Sequence, residues 1–461
     1  MTPVSPDWLS VLPPLVAIAF VLWRREVILA LVLAVFTSEW LLQSSFAAGA
    51  GRAFIATLDR TAFVLTDPDN ARILLFSLMI GALIAYLRQS GGVTALVDSL
   101  VNSGLASNSR RASLLTSGVG GVIFVESNLS VLTAGILSRG LFDRFGLSRA
   151  KLAYIIDSTS APVCILILLN GWGAFILVLL SQYEFAQSSA AILWGTVTLN
   201  FYAIVTLLLV LFTAWTGRTF GPLARSEAVA HDHEAEEPEV APTHPVYMVV
   251  PLAVMIVSMI GFMLWTGGGV LADGSGSRSV LYAVTLACSV AYLMMLASRR
   301  FSHIELVKTG FDGMAELLPL VAIVLFSLAL GASLQELGTG VFIAGLAGDN
   351  VPPFLIVPML FLAGALTSFS TGTSWGTFAI LIPIGMPLAA ALGLPPSLVL
   401  AAILGGGVFG DHCSPISDTT CISAIASGCD LLEHVRTQLP YALVAGGITF
   451  LLYLAVGLFT L

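Results

Sequence analysis

The chain has 461 residues, 57% hydrophobic and only 10% charged, with a mean hydropathy of +0.96. Soluble domains carry about 25% charged residues, so an ordinary globular domain is excluded, and repeated apolar stretches of about 20 residues indicate an all-α polytopic membrane protein. The net charge of −8 gives no basis for a nucleic-acid partner, and the even alternation of a membrane β-barrel is absent.

The first apolar span covers about 8–23 and ends at Arg24-Arg25; the second covers about 26–45. Basic residues stay cytoplasmic, so the first exit is inside and the second span leads out. Asp7 and the lack of a basic start argue against a cleaved signal peptide. A third span, about 71–88, returns to Arg88. Residues 112–138 then lie between Arg110-Arg111 and the group Arg139, Arg144, Arg149 and Lys151. Both flanks are basic and two full crossings need about 40 residues, so a re-entrant hairpin is expected there. A broken span, about 150–182, leads out past Glu184, and about 189–215 returns to Arg218 and Arg225.

A polar stretch from Thr216 to Pro245 follows, containing His231-Asp232-His233-Glu234-Ala235-Glu236-Glu237-Pro238-Glu239. Without apolar periodicity it reads as a flexible acidic linker on the cytoplasmic side, over 217–245. A metal site on His231, His233 and the acids is the alternative. Spans at about 246–266, 279–298 and 315–335 open the second half, with Arg299-Arg300 and Lys308 inside. From Asn350 to Gly410 no residue is charged, and 353–392 fits a second hairpin, entering from outside. A broken span, about 397–428, returns to Glu433-His434-Val435-Arg436, and the last, about 439–460, exits. Asp430, Glu433 and His434 read as solvated interface residues. Cys164, Cys288, Cys413, Cys421 and Cys429 lack a zinc spacing and read as small buried hydrophobes.

The halves resemble each other. Leu75-Phe76-Ser77-Leu78-Met79-Ile80-Gly81-Ala82 matches Leu325-Phe326-Ser327-Leu328-Ala329-Leu330-Gly331-Ala332, with Gly91-Gly92-Val93 and Thr339-Gly340-Val341 soon after each. Phe145-Gly146-Leu147 parallels Leu392-Gly393-Leu394. Each half crosses an odd number of times, so a duplicate must be upside down. The expectation is two inverted-topology repeats, 1–216 and 246–461, each with a re-entrant hairpin and a broken helix, and about 10 full spans in all. Secondary transporters place their site at the midplane between such repeats.

Four polar clusters fall near the expected interruptions. The first hairpin turns near Gly120-Gly121 and carries Glu126-Ser127-Asn128, with Ser130 and Thr133 beyond. The second carries Ser368-Phe369-Ser370-Thr371-Gly372-Thr373-Ser374-Trp375-Gly376-Thr377. The broken spans carry Asp157-Ser158-Thr159-Ser160-Ala161-Pro162 and Gly410-Asp411-His412-Cys413-Ser414-Pro415-Ile416-Ser417-Asp418-Thr419-Thr420, each with an aspartate followed closely by a proline. Carboxylates at bilayer depth mark ion or substrate paths, and unwound backbone is tolerated only where protein or a wet cavity covers it. Na⁺ prefers carboxylate, hydroxyl and carbonyl oxygens, and a buried carboxylate holds either a proton or a cation. Candidate cation ligands are therefore Asp157, Asp411 and Asp418, supported by Ser127, Asn128, Thr159, Thr373, Ser374, Ser414 and Thr419. Glu126 is a further ligand candidate or an ion-pair partner of Arg110 or Arg111. His412 is a candidate proton relay or an orienting hydrogen bond, and Trp375 flanks a hairpin tip.

The run from Gly410 to Thr420, with Gly372-Thr373-Ser374-Trp375-Gly376-Thr377 before it and Glu433-His434-Val435-Arg436-Thr437-Gln438-Leu439-Pro440-Tyr441 after it, closely resembles the NhaC family of Na⁺/H⁺ antiporters. The resemblance implies the fold of the wider ion-transporter superfamily, with inverted repeats and paired hairpins whose tip residues help bind sodium. Ser127-Asn128 and Thr373-Ser374 fall at the matching places. Where a dicarboxylate carrier shows Ser-Asn-Thr, this chain has Ser127-Asn128-Leu129, which weakens the case for a dicarboxylate. The implied function is exchange of Na⁺ for H⁺ across a bacterial inner membrane, with Na⁺-coupled carriage of an amino acid or small carboxylate as the alternative. No enzyme chemistry and no cofactor beyond these coupling ions is expected; a homodimer is expected by analogy only.

Overall fold

The computed structural model describes residues 8–24, 26–43, 49–100, 107–124, 126–228, 241, 243–270, 274–339, 342, 345, 351–415 and 417–460. The histidines and acids of the linker, 231–239, lie outside these residues. All regular structure described is helical. Nine of the described helices are long and apolar enough to cross a membrane, or ten if one pair bent by 43° counts as a single span.

Two short apolar helices come first, α1 (Leu12–Arg24) and α2 (Val27–Leu42). An unexpected third, α3 (Gly49–Val64), precedes the long α4 (Pro68–Gln89), which leads into α5 (Gly92–Leu100). The same order recurs after the linker as α13 (Val246–Thr266), α14 (Gly276–Ala297), α15 (His303–Glu316) and α16 (Leu318–Glu336). In the first half, α6 (Ser109–Val122) and α7 (Ser127–Arg144) form a hairpin. The pair α8 (Arg149–Leu166) and α9 (Gly171–Ser181) is the bent span. Then come α10 (Ser189–Leu199) and α11 (Phe201–Thr216), separated at buried Asn200 where a single span was expected. A short α12 (Gly221–Ala228) lies inside the stretch read as a flexible linker. The second half repeats the plan with hairpin α17 (Pro353–Thr371) and α18 (Ser374–Leu392), broken pair α19 (Pro396–Cys413) and α20 (Asp418–Ser427), and α21 (Leu431–Thr460).

The amphipathic helices α3 and α15 escaped the hydropathy reading because their charged faces interrupt the apolar runs. They pack reciprocally: α15 lies on α4, and α3 lies on α16. Each contact ends in an ion pair. Arg88 at the end of α4 meets Glu316 of α15 at 2.8 Å; Arg60 of α3 meets Glu336 at the end of α16 at 2.5 Å and Glu39 of α2 at 2.6 Å. Gly81 and Gly313 let α4 and α15 touch backbone to backbone, since a Cβ on either would lie within 2.4 Å of the other's carbonyl oxygen. Small residues do the same in membrane helix pairs generally, where close packing replaces the hydrophobic effect.

Two further expectations change. The first broken span does not break at its Asp157–Pro162 cluster: α8 runs through Pro162 to Leu166. A proline removes one N–H and crowds one carbonyl, and a helix held on both sides survives that. The chain stops where Asn170 caps both ends at once. Its Nδ2 donates to the carbonyls of Cys164 and Ile167, both 2.8 Å, and its Oδ1 accepts from the amides of Trp172 and Gly173. Secondly, the last helix starts at Leu431, not near 439, and carries His434 and Gln438 into the protein, where both are buried. His434 is therefore no interface residue, whereas Glu433 is exposed.

The hairpins also differ in length. The arms of the first hold 14 and 18 residues, roughly 21 and 27 Å, and those of the second hold 19 each, roughly 28 Å.

Candidate functional site

Each hairpin tip is bound to the break of its own half. In the second half α19 ends at Cys413, before Pro415, and Ser417 caps α20 through the amide of Thr420. Asp411 sits two residues before that end, 3% exposed. Its Oδ2 accepts from Ser374 at the first turn of α18, 2.8 Å, and its Oδ1 accepts from Ser417. Ser417 Oγ lies 3.1 Å from Thr419 Oγ1. The tip is held further by Ser414, whose hydroxyl donates to the Phe369 carbonyl at 2.8 Å, and by the Asp418 amide on the Gly372 carbonyl at 3.4 Å. One carboxylate and three hydroxyls thus converge at a gap between two half-helices. Such a set suits a hard monovalent cation. Among the described residues no three His, Cys, Asp or Glu side chains group as they would around a multivalent metal.

In the first half the roles are redistributed. Glu126 caps α7, accepting from the amides of Asn128 at 3.0 Å and Leu129 at 2.7 Å and from Ser127 Oγ at 3.3 Å. It is not the ion-pair partner of Arg110, which lies over the Trp215 ring, or of Arg111, which reaches Ser107. The tip carbonyl of Phe124 accepts from Cys164 Sγ and Asn170 Nδ2, and the Ser127 carbonyl accepts from Ser160 at 2.7 Å. Because α7 and α18 start at Ser127 and Ser374, these two serines correspond, and Glu126 corresponds to Thr373. This shifts the expected tip alignment by one residue. Counted from the helix ends, Asp411 corresponds to Cys164, and Asp157 has no counterpart at the second break.

Asp157 forms a second buried centre. Its Oδ2 accepts from Gln438 Nε2 at 2.6 Å and faces His434 Nε2 at 3.2 Å. Gln438 also donates to the backbone carbonyl of His412 at 3.1 Å, and His412 Nδ1 pairs with the Tyr202 hydroxyl at 3.0 Å. Gln438 therefore ties Asp157 to the residue following Asp411. Thr159 belongs to neither centre through its hydroxyl, which bonds the Ile155 carbonyl one turn back at 2.7 Å.

Both tips and both breaks meet at one cavity of about 290 Å³. Glu126 and Asn128 come from the first tip, Thr373 and Trp375 from the second, Gly171 and Trp172 from the first break and Asp418 from the second. Helix α4 and the α15–α16 junction close the far wall, where Glu316 lies. Trp375 packs on Trp172 and Phe175, ring centroids 5.5 and 5.1 Å apart.

The sequence profile described as the Na⁺/H⁺ antiporter family matches residues 163–458. The chain belongs to that family. The antiporter is thus a multi-pass membrane transporter and not an enzyme, in keeping with a bacterial inner membrane. The match contains the Asp411 centre and both sides of the aromatic wall, and leaves Glu126, Asn128 and Asp157 outside it. Over its whole length the antiporter is similar to an uncharacterized protein of Haemophilus influenzae, 31% identical over 97% of this chain and 90% of the relative. A malate-2H⁺/Na⁺-lactate antiporter of Bacillus subtilis is 38% identical over 24% of this chain and 26% of its own. The arginine/ornithine antiporter ArcD of Halobacterium salinarum is 35% identical over 28% and 26%. In fold it resembles the YdaH transporter of Alcanivorax borkumensis, at a TM-score of 0.58 and 14% identity over 85% of this chain and 90% of that one.

Sequence reasoning missed Asn170, Ser417, His434, Gln438 and Trp172. Asn170-Gly171 interrupts an apolar run and carries the signal of a helix start, so it was available. Gln438 follows His434 by one helical turn, a pairing visible only once the helix start is known.

Proposed function

We propose that the antiporter exchanges Na⁺ for H⁺ by alternating access, with the two halves as inverted repeats and Asp411 as the shared site. The observation that carries this is a buried carboxylate bonded only by hydroxyls at a gap in a membrane helix. Either a proton or Na⁺ can satisfy that carboxylate, and Ser374, Ser417 and Thr419 can turn their oxygens to the cation. Binding of one excludes the other, which is the coupling that exchange needs. Asp418 and Glu126 line the approach and favour a cation there. Purified protein in proteoliposomes with an internal pH dye tests it: an inward Na⁺ gradient should alkalinise the lumen, and no pH change under that gradient would sink the exchange.

A second reading is coupled transport of an organic solute, with Na⁺ as the driving ion. The cavity volume favours it, because about 290 Å³ approaches the range of small-molecule sites and far exceeds one dehydrated ion. The names of the malate/lactate and arginine/ornithine relatives are compatible with it. Labelled amino and organic acids, offered to the same liposomes with and without Na⁺, distinguish it.

A further inference from the structure

The last turn of α19 carries Asp411, and it is held differently from the rest of that helix. Up to Gly410, α19 lies backbone to backbone on α17: a Cβ on Gly406 or Gly410 would lie 2.2 Å from the carbonyl oxygen of Phe361 or Ala365. Beyond Gly410 come the final carbonyls, which find no donors within their own helix. The Asp411 carbonyl accepts from the Ser414 amide at 3.1 Å, and the His412 carbonyl accepts from Gln438 Nε2 of α21 at 3.1 Å. The same nitrogen donates to Asp157 Oδ2 of α8 at 2.6 Å. Both of its hydrogens are thus spent, and the amide has one orientation: turned over, it would set Oε1 against two acceptors. Asp157 therefore fixes the face that Gln438 shows to α19, and both side chains are buried.

The two buried aspartates differ in the kind of group they meet. Asp411 is met by the hydroxyls of Ser374 and Ser417, which can turn a lone pair towards a cation. Asp157 Oδ2 is met by the locked amide nitrogen of Gln438 and by His434 Nε2, whereas Na⁺ prefers oxygen ligands. We propose that Gln438, oriented by Asp157, is a positioning residue for Asp411, and that Asp157 itself binds no cation. The inference rests on the exchange reading above, with Asp411 as the site. Without the bond on the His412 carbonyl the last turn of α19 is free to fray. Its carboxylate then leaves the point where Ser374 and Ser417 converge, and a cation meets fewer oxygens at once.

The test reads two quantities on the purified full-length protein. One is the Na⁺ dissociation constant, from the rise in thermal midpoint as NaCl replaces KCl. The other is hydrogen exchange of the amides at 411–414 without Na⁺. Asp157→Asn keeps an oxygen for Gln438 and should leave both unchanged. Asp157→Leu and Gln438→Leu should each weaken Na⁺ about tenfold, the size of one hydrogen bond, and speed exchange at 411–414. The double Leu variant should be no worse than either, because both changes remove the same clamp. Loss of the Na⁺ response in Asp157→Asn would make Asp157 a ligand and overturn the proposal. Leu variants with a lower midpoint but an unchanged constant and unchanged exchange would overturn it too. Should they fail to fold, Gln438→Glu, which keeps the size and donates at most one hydrogen, is judged by the same two readouts. No Na⁺ response in the wild type would sink the exchange reading, and the amides at 411–414 would still decide whether the clamp holds Asp411. A wild-type response with unmoved variants would sink this inference alone.

Discussion

Asp411 is the residue on which the most chemistry converges, and its neighbours show why a carboxylate is needed there. Asn at this position keeps size and hydrogen bonding but loses both the charge and the exchangeable proton. Asp411→Asn should still insert and fold, since removing a buried charge whose partners are hydroxyls leaves no opposite charge stranded. It should lose Na⁺-driven flux and the Na⁺-induced rise in thermal midpoint, which for wild type corresponds to about 2.7 kcal/mol at a hundredfold excess over Kd. Normal flux in the variant would remove Asp411 from the site. Gln438 makes the contrasting case. Gln438→Leu deletes a donor from a buried carboxylate and from the His412 carbonyl. It should destabilise by about 1–3 kcal/mol, seen as a lower thermal midpoint without any Na⁺. Asp411, Ser374 and Thr419 were legible as a polar run inside apolar sequence. The surroundings of Asp157 were not, because a sequence does not say which of three distant helices will present a glutamine and a histidine to it.

At the scale of elements, the two breaks look alike and are made differently. The second is written in the sequence by Pro415 between polar residues. The first is made by Asn170, while Pro162 is absorbed into a continuous helix. The expectation that an aspartate-to-proline run marks each break was therefore right for one half and misplaced by a turn or more in the other. Asn170→Ala removes caps from the end of α8 and the start of α9 and takes one of two donors from the Phe124 carbonyl of the hairpin tip, leaving Cys164 Sγ. One N-cap is worth about 1 kcal/mol, so a loss above that is expected in thermal denaturation. Asn170→Asp keeps the acceptor for Trp172 and Gly173 but not the donors, and should fall between the two. Equal midpoints for wild type and Asn170→Ala would show that the break is held by packing alone. The half-helix α20 has its own clamp at the far end. Arg139 Nε donates to the Ala426 carbonyl at 2.7 Å and Arg149 to that of Ser427 at 2.9 Å. Cations on the last carbonyls of a helix oppose its dipole, so the end bearing Asp418 is oriented by residues of the other half.

For the whole molecule, spans were legible from hydropathy, but their interlocking was not. Nothing in the sequence indicates that α4 packs with the opening helices of the second half while α16 packs with those of the first. The reciprocal ion pairs sharpen the point: Arg88 at the end of α4 meets Glu316 of α15, and Glu336 at the end of α16 meets Arg60 of α3, so each long helix ends on the amphipathic helix of the other half. A two-fold axis in the membrane plane would produce that pattern, setting Arg88 and Glu316 on one side and Arg60 and Glu336 on the other. The basic residues assign the sides, since Arg110, Arg111, Arg139, Arg144 and Lys151 gather at the base of the first hairpin and the base of the second has none. Single cysteines at Ser109 and Pro352, both exposed at hairpin bases, therefore should react with an impermeant maleimide from opposite sides, Ser109 from the cytoplasm. Cysteines at Thr243 and Thr460 should divide in the same way, Thr243 inside. Opposite labelling of both pairs requires an odd number of crossings between the members of each. If Ser109 and Pro352 react from one side, the halves are parallel copies, and a shared midplane site at Asp411 loses its geometric basis even though each hairpin still docks on its own break.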